Sequence, residues 1–205
     1  MSDQDSLRHA LASVLEPRLR RTLGEIDLIR DLRQDASGSW RLELAVPEPG
    51  WPLESLVRAA DDAARSAGAG SVELTPVPMD AAGREALAAR LRAGRPARPG
   101  GDGSRTRVLT VASGKGGVGK SSVTANTAVA LARQGHDVAV LDADVWGFSI
   151  PRMLGISEPP VVLGGLIVPP GAYGVRVISM DFFVPPDQAV IWRGPMLHKA
   201  LEQFL

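Results

Sequence analysis

The chain contains no cysteine, which excludes disulfides and thiolate metal sites within it. Histidine is also scarce, with only His9, His136 and His198, and their scatter argues against an imidazole metal centre. Charge of one sign in excess is missing as well: Lys+Arg and Asp+Glu both number 23. No global field therefore exists to hold nucleic acid or anionic lipid, and neither nucleic acid nor a membrane is expected as a partner. No apolar run approaches the ~20 residues that span a bilayer. The opening segment MSDQDSLRHA is polar and acidic, unlike a secretory leader. What remains is the expectation of a folded, soluble protein with a cytoplasmic location. With 44% hydrophobic residues over 205 positions, the chain can fill one large core or two modest ones.

The clearest seam is AGRPARPGGDGSRT, residues 93–106, where Gly, Pro, Arg and Ser replace apolar periodicity. Such a composition cannot bury enough surface to order itself, so it reads as a linker between a domain at 1–92 and another at 107–205. Upstream, Leu7, Leu11, Val14 and Leu15 recur at helical spacing until Glu16-Pro17 breaks the run. Ile26 to Leu32 reads as a strand, Asp35 to Ser39 as a turn, and Trp40, Leu42, Leu44 and Val46 as one face of a second strand. Pro52 suits a helix start, with Leu53, Leu56, Val57, Ala60 and Ala64 as its apolar stripe and Gly68 and Gly70 as its end. Val72 to Val77 and Ala81 to Leu91 add a strand and a helix. The order α-β-β-α-β-α predicts a small α+β domain.

Downstream, Val108 to Ala112 reads as a short apolar strand, Lys120 to Arg133 as a helix closed by Gly135, and Asp137 to Leu141 as a second strand. Val175 to Met180 is a third strand, and Pro195 to Leu205 begins a further helix. Apolar runs without alternation fit a parallel sheet covered on both faces, so the expected class is α/β, a doubly wound parallel sheet that is incomplete in this chain. There is no internal repeat.

Between the first of those strands and its helix lies Gly114-Lys115-Gly116-Gly117-Val118-Gly119-Lys120-Ser121, followed by Ser122. It satisfies Gly-x-x-x-x-Gly-Lys-[Ser/Thr], the phosphate-binding loop. Glycines let successive backbone N–H groups close on phosphate oxygens, and the helix adds its positive end. In that role Lys120 reaches the β/γ-phosphates of ATP and the Ser121 hydroxyl ligates Mg2+. The second constellation is Asp142-Ala143-Asp144, at the end of the second strand, where α/β proteins bind ligands and strand alternation puts both carboxylates on one side. For either aspartate the alternative is a helix or turn cap.

Lys115, directly after the first glycine, gives GKGGVGKSS, which resembles the deviant loop of the MinD/ParA/nitrogenase-iron-protein superfamily. The stretch DADVWGFSIPRMLG, residues 142–155, together with VIWRGPM and HKALEQFL in residues 190–205, resembles the Mrp/ApbC group of iron-sulfur cluster carrier ATPases within it. The resemblance runs from about Val108 to Leu205. It implies ATP hydrolysis, a homodimer in which Lys115 reaches the partner subunit's nucleotide, Asp142 in the magnesium shell, and Asp144 in the switch that positions the attacking water. It also implies partners among apoprotein clients and iron-sulfur assembly factors. A solvated lysine beside the phosphates is the alternative for Lys115.

Glu16-Pro17-Arg18-Leu19 and Ile29-Arg30-Asp31-Leu32 resemble the small iron-sulfur assembly domain found ahead of such ATPases. That domain usually carries a cysteine before a proline where this chain has Pro49-Gly50-Trp51-Pro52. On the same resemblance the sequence stops before the switch II aspartate and the Cys-x-x-Cys pair, so an iron-sulfur cluster is expected only in a longer form, and residues 1–205 alone are expected to be inactive. A positioning ATPase of the ParA/MinD kind and a non-enzymatic fragment are the rival readings.

Overall fold

The computed structural model describes residues 3–93, 99, 101–144, 147–183 and 204. The chain divides into two compact units, Met1–Arg95 with Leu163–Leu166, and Pro96–Val162 with Ile167–Leu205.

In the first unit, helix α1 (Asp3–Ala12) buries Leu7 and Leu11, the pair its spacing puts on one face. The small antiparallel pair β1 (Leu15–Glu16) and β2 (Arg21–Thr22) follows. A sheet of order β3-β4-β5 is then built from β3 (Ile29–Gln34), β4 (Trp40–Val46) and β5 (Val72–Pro78). β3 and β4 are antiparallel, whereas β5 joins β4 in parallel after crossing over through α2 (Glu54–Ser66). Alternation in β4 buries Leu42, Leu44 and Val46, and α2 supplies Leu56, Ala60 and Ala64 at helical spacing. Pro76 and Pro78 fit β5 because it is an edge strand, where a missing N–H leaves no ladder bond unmade. Helix α3 (Ala81–Ala93) begins where Asp80 Oδ1 accepts the Gly83 N–H at 2.7 Å, an N-terminal cap. The predicted α-β-β-α-β-α order is present, with the minimal β1/β2 pair added.

This unit buries one carboxylate. Glu16 is fully enclosed; Oε2 accepts the Leu19 N–H at 2.5 Å and Oε1 accepts the Trp51 indole N–H at 3.1 Å. The Arg18 guanidinium lies 5.2 Å from the Trp51 ring centroid, a cation–π distance. Trp51 thus occupies the position before Pro52 as a buried hydrogen-bond donor.

In the second unit, α4 (Lys120–Arg133) coincides with the predicted helix. It is followed by β6 (Val138–Asp142), α5 (Ile150–Met153) and, after the two-stranded hairpin β7 (Val161–Leu163) and β8 (Leu166–Val168) whose tip Leu163–Leu166 belongs to the first unit, by β9 (Gly171–Ala172), β10 (Val175–Ser179) and a 3-10 turn at Met180–Phe183. The sheet order is β6-β10-β9, with β6 and β10 parallel and β9 antiparallel. Ala125 and Ala128 of α4 pack with Val140, Val175, Val177, Ile150 and Leu154. Small residues on that face let the helix approach the sheet closely.

Two expectations differ from this outcome. The predicted strand Val108–Ala112 is not a strand, and Val108 and Leu109 are 62% and 70% exposed. An apolar run becomes a strand only when a neighbour takes its backbone hydrogen bonds, and among the described residues no strand pairs with it. The doubly wound sheet is correspondingly reduced to one parallel pair, β6 and β10, among the described residues. The predicted helix at Pro195–Leu205, apart from Phe204, and residues 94–98 and 100 of the 93–106 seam lie outside the described residues.

Burial pushes the Glu16 carboxyl above its ordinary range, outweighing the opposing hydrogen bonds from Leu19, Trp51 and Arg18. A carboxyl whose folded pKa is raised binds its proton more readily folded than unfolded. Its stabilisation is complete below the ordinary glutamate pKa and is lost as pH rises through its own raised value. The first unit should therefore lose stability across that window. Glu16→Gln, which keeps an oxygen acceptor, should flatten the slope; urea unfolding followed at several pH values checks this, and an unchanged slope would contradict it.

Candidate functional site

The glycine-rich segment forms an exposed bend leading into α4. Gly117 and Gly119 have φ of +74° and +90°, in the left-handed region that side-chain-bearing residues avoid. Gly119 is the N-cap of α4 in that conformation. The first intrahelical bond of the helix runs from the Val123 N–H to the Gly119 carbonyl at 2.9 Å. The N–H groups of Lys120, Ser121 and Ser122 consequently precede any intrahelical acceptor and point out of the positive end of the helix. Space matches this polarity: a Cβ added at Gly114, Gly116, Gly117 or Gly119 would meet nothing within 4 Å. An anion can approach this backbone directly.

Ahead of the bend, Ser113 Oγ accepts the Lys115 N–H at 3.2 Å and donates to the Lys115 carbonyl at 3.0 Å. This clasp fixes the backbone of Lys115, which is exposed. At the start of the helix, the Thr124 hydroxyl donates to the Lys120 carbonyl at 3.0 Å and the Asn126 amide donates to the Ser122 carbonyl at 2.8 Å. The first turn is thereby held by its own side chains.

Lys120 and Asp144 form an ion pair, Nζ to Oδ2 2.6 Å, with side chains 29% and 36% exposed. Asp142 has a different environment. It ends β6 and is 6% exposed; Oδ1 accepts the Asp144 N–H at 3.3 Å, and Oδ2 accepts the N–H groups of Ser149 and Ile150, each at 3.3 Å. It therefore caps α5 across an intervening loop. Because β6 stops at Asp142, strand alternation does not govern Asp144. The two carboxylates are divided between a buried backbone-binding role and a half-buried role beside Lys120.

Comparison with known proteins bears on this geometry. Residues 104–205 match the family described as ParA, NUBPL iron-transfer P-loop NTPase. The chain belongs to this family. It is similar to proteins named iron-sulfur cluster carrier protein from Mycobacterium bovis, at 40% identity over 98% of this chain and 54% of that protein, and from Mycobacterium leprae, at 42% identity over 96% and 52% respectively. The protein of that name from Bacillus subtilis is 35% identical over 100% of this chain and 58% of its own length. The chain spans about half the length of the curated relatives it matches.

The left-handed glycines, the helix N-terminus and Lys120 lie together at the start of α4. Lys115 is held at the loop by the Ser113 clasp. Sequence reasoning overlooked Ser113, whose only signal was a hydroxyl residue directly before Gly114, and it did not anticipate that Lys120 and Asp144 would pair across 24 residues. Among the described residues no group of three or more His, Cys, Asp or Glu could hold a metal ion, and no helix is long and apolar enough to cross a membrane.

The capping by Asp142 is open to measurement. Asp142→Ala removes the acceptor of three backbone N–H groups and should destabilise the second unit by about 0.5–2 kcal/mol, the usual range for a lost cap. Chemical denaturation monitored in that unit checks it, and a change near zero would show that solvent replaces the carboxylate without cost.

Proposed function

We propose that this chain binds ATP with Mg2+ on Gly114 to Ser122 and forms the nucleotide-binding front portion of an iron-sulfur cluster carrier. The observation that carries the reading is the left-handed turn at Gly119 running straight into α4 with Lys120 as its first residue. It combines outward-pointing amides, a helix N-terminus and an ammonium group at one point, and a polyphosphate satisfies all three. The parallel β6/β10 pair supports the reading, as a part of the doubly wound sheet that such a protein would have.

The donors present fit a magnesium nucleotide. Ser121 follows Lys120 on the first turn and offers a hydroxyl oxygen to the cation. Asp142 uses both carboxylate oxygens on backbone N–H groups. Oδ2 already accepts two of them, so the remaining acceptor site is on Oδ1, an arrangement that would suit a hydrogen bond to the cation's hydration better than direct ligation. Mg2+ supplies neutralisation of charge on the phosphate oxygens when bound. Asp144 would orient the attacking water, and Lys120 would stabilise the charge that develops on the transferred phosphoryl group.

Lys115, exposed on a clasped backbone, is positioned for contact beyond its own subunit, in keeping with a homodimer in which it reaches the partner's nucleotide. The relatives' name, iron-sulfur cluster carrier protein, supports a role in carrying iron-sulfur clusters to apoprotein clients. The cluster is cargo, and with no cysteine in these 205 residues its thiolate ligands would have to come from elsewhere.

Lys120→Ala should weaken ATP binding by about 1.5–3 kcal/mol, the range for losing a charge-assisted hydrogen bond to an ionised group. Isothermal titration with ATP and Mg2+ measures it. An unchanged affinity would remove Lys120 from the phosphate site and with it the ATPase assignment.

A further inference from the structure

Lys120 can serve Asp144 or a phosphate group, but its single ammonium cannot neutralise both fully. The carboxylate contact is short, at 2.6 Å, and partly withdrawn from solvent, with neither side chain much more than a third exposed. A charge-assisted bond of that length is directional as well as attractive. The Lys120 backbone is fixed as the first residue of α4, with its carbonyl held by Thr124, so the ammonium changes partner only by swinging its side chain. The Asp144 backbone is held in turn by its N–H bond to buried Asp142. The two partners are thus anchored independently, one on the helix and one at the end of the strand, and the ion pair closes the gap between them.

We propose that Asp144 is an internal competitor for the phosphate: a nucleotide must draw the Lys120 ammonium away from this carboxylate, so Asp144 sets the affinity of the loop. This rests on the nucleotide reading above and adds a regulatory element to it. Asp144 acts on binding through Lys120, as a positioning residue.

A double-mutant cycle separates this from simple repulsion between Asp144 and an anion. The 205-residue chain is titrated with a fluorescent, non-hydrolysable ATP analogue and Mg2+ as wild type, Asp144→Asn, Lys120→Ala and the double variant, with Asp144→Ser as a second replacement should the asparagine variant misfold. Asp144→Asn should bind about two- to fivefold tighter than wild type, the scale of a partly exposed ion pair. That gain should vanish when Lys120 is alanine. A merely structural role for Asp144 would lower affinity, not raise it. Unchanged or weaker binding by both Asp144 variants overturns the competitor role while leaving the loop assignment intact, because wild type still binds. An equal gain in both lysine backgrounds overturns it in favour of plain repulsion. Failure of wild type to bind the analogue overturns the nucleotide reading itself, and the competition with it.

Discussion

Gly119 holds φ at +90° and α4 begins on the very next residue, and the chemistry of the second unit depends on that join. A side chain at this position would favour a right-handed conformation, and the chain would enter the helix along a different line. The amides of residues 120–122 would then point elsewhere, and Lys120 would start from a different place. The helix must also stay where it is. Ala125 and Ala128 dock it against Val140, Val175 and Val177, so a local backbone preference at one glycine is fixed in space by an apolar core on the far side of the helix. Sequence, backbone geometry and packing reach the same point from different directions, and agreement of that kind distinguishes a built site from a flexible glycine-rich turn.

The C-terminal end of β6 is organised on a different principle. A buried carboxylate is costly unless its oxygens are hydrogen-bonded, and Asp142 meets that requirement with backbone N–H groups from both sides of the loop that follows the strand. It therefore ties the start of α5 to the end of β6, and Asp144 is carried on the segment between them. Its distance from Lys120 is set by Asp142 as much as by its own side chain. Substitutions at either aspartate should be read with this dependence in mind, since the two share a hydrogen bond and their effects need not add.

The parts of this architecture that could be read from sequence are those specified locally. Helix α4 runs from Lys120 to Arg133 as expected, because Gly119 and Gly135 punctuate it and alanines recur on its inner face. β4 is legible from the alternation of Leu42, Leu44 and Val46. β5 is legible too, despite Pro76 and Pro78, since an edge position tolerates both. Val108–Ala112 has the composition of a strand and is not one, for strand formation is a property of a pair and composition describes only one member. The Glu16–Trp51 bond, formed across 35 residues, left no periodic trace. The phrase Glu16-Pro17-Arg18-Leu19 carries a family resemblance, but nothing in it shows that a tryptophan meets the carboxylate.

Glu16 and Asp142 together show how the two units use a buried acid. Both side chains are enclosed, and both have their oxygens occupied by N–H donors. Glu16 is surrounded by an indole, a backbone amide and a nearby guanidinium in an otherwise apolar setting, where burial still raises its carboxyl above the ordinary range. It behaves as a structural pin whose charge is a liability. Asp142 stands at the end of a parallel strand and joins it to α5, its oxygens taken by backbone N–H groups from both sides of the loop. The same chemical group is therefore a pin between an indole and a backbone amide in the first unit and a splice between two elements in the second, where it lies two residues from Asp144, the carboxylate that pairs with Lys120.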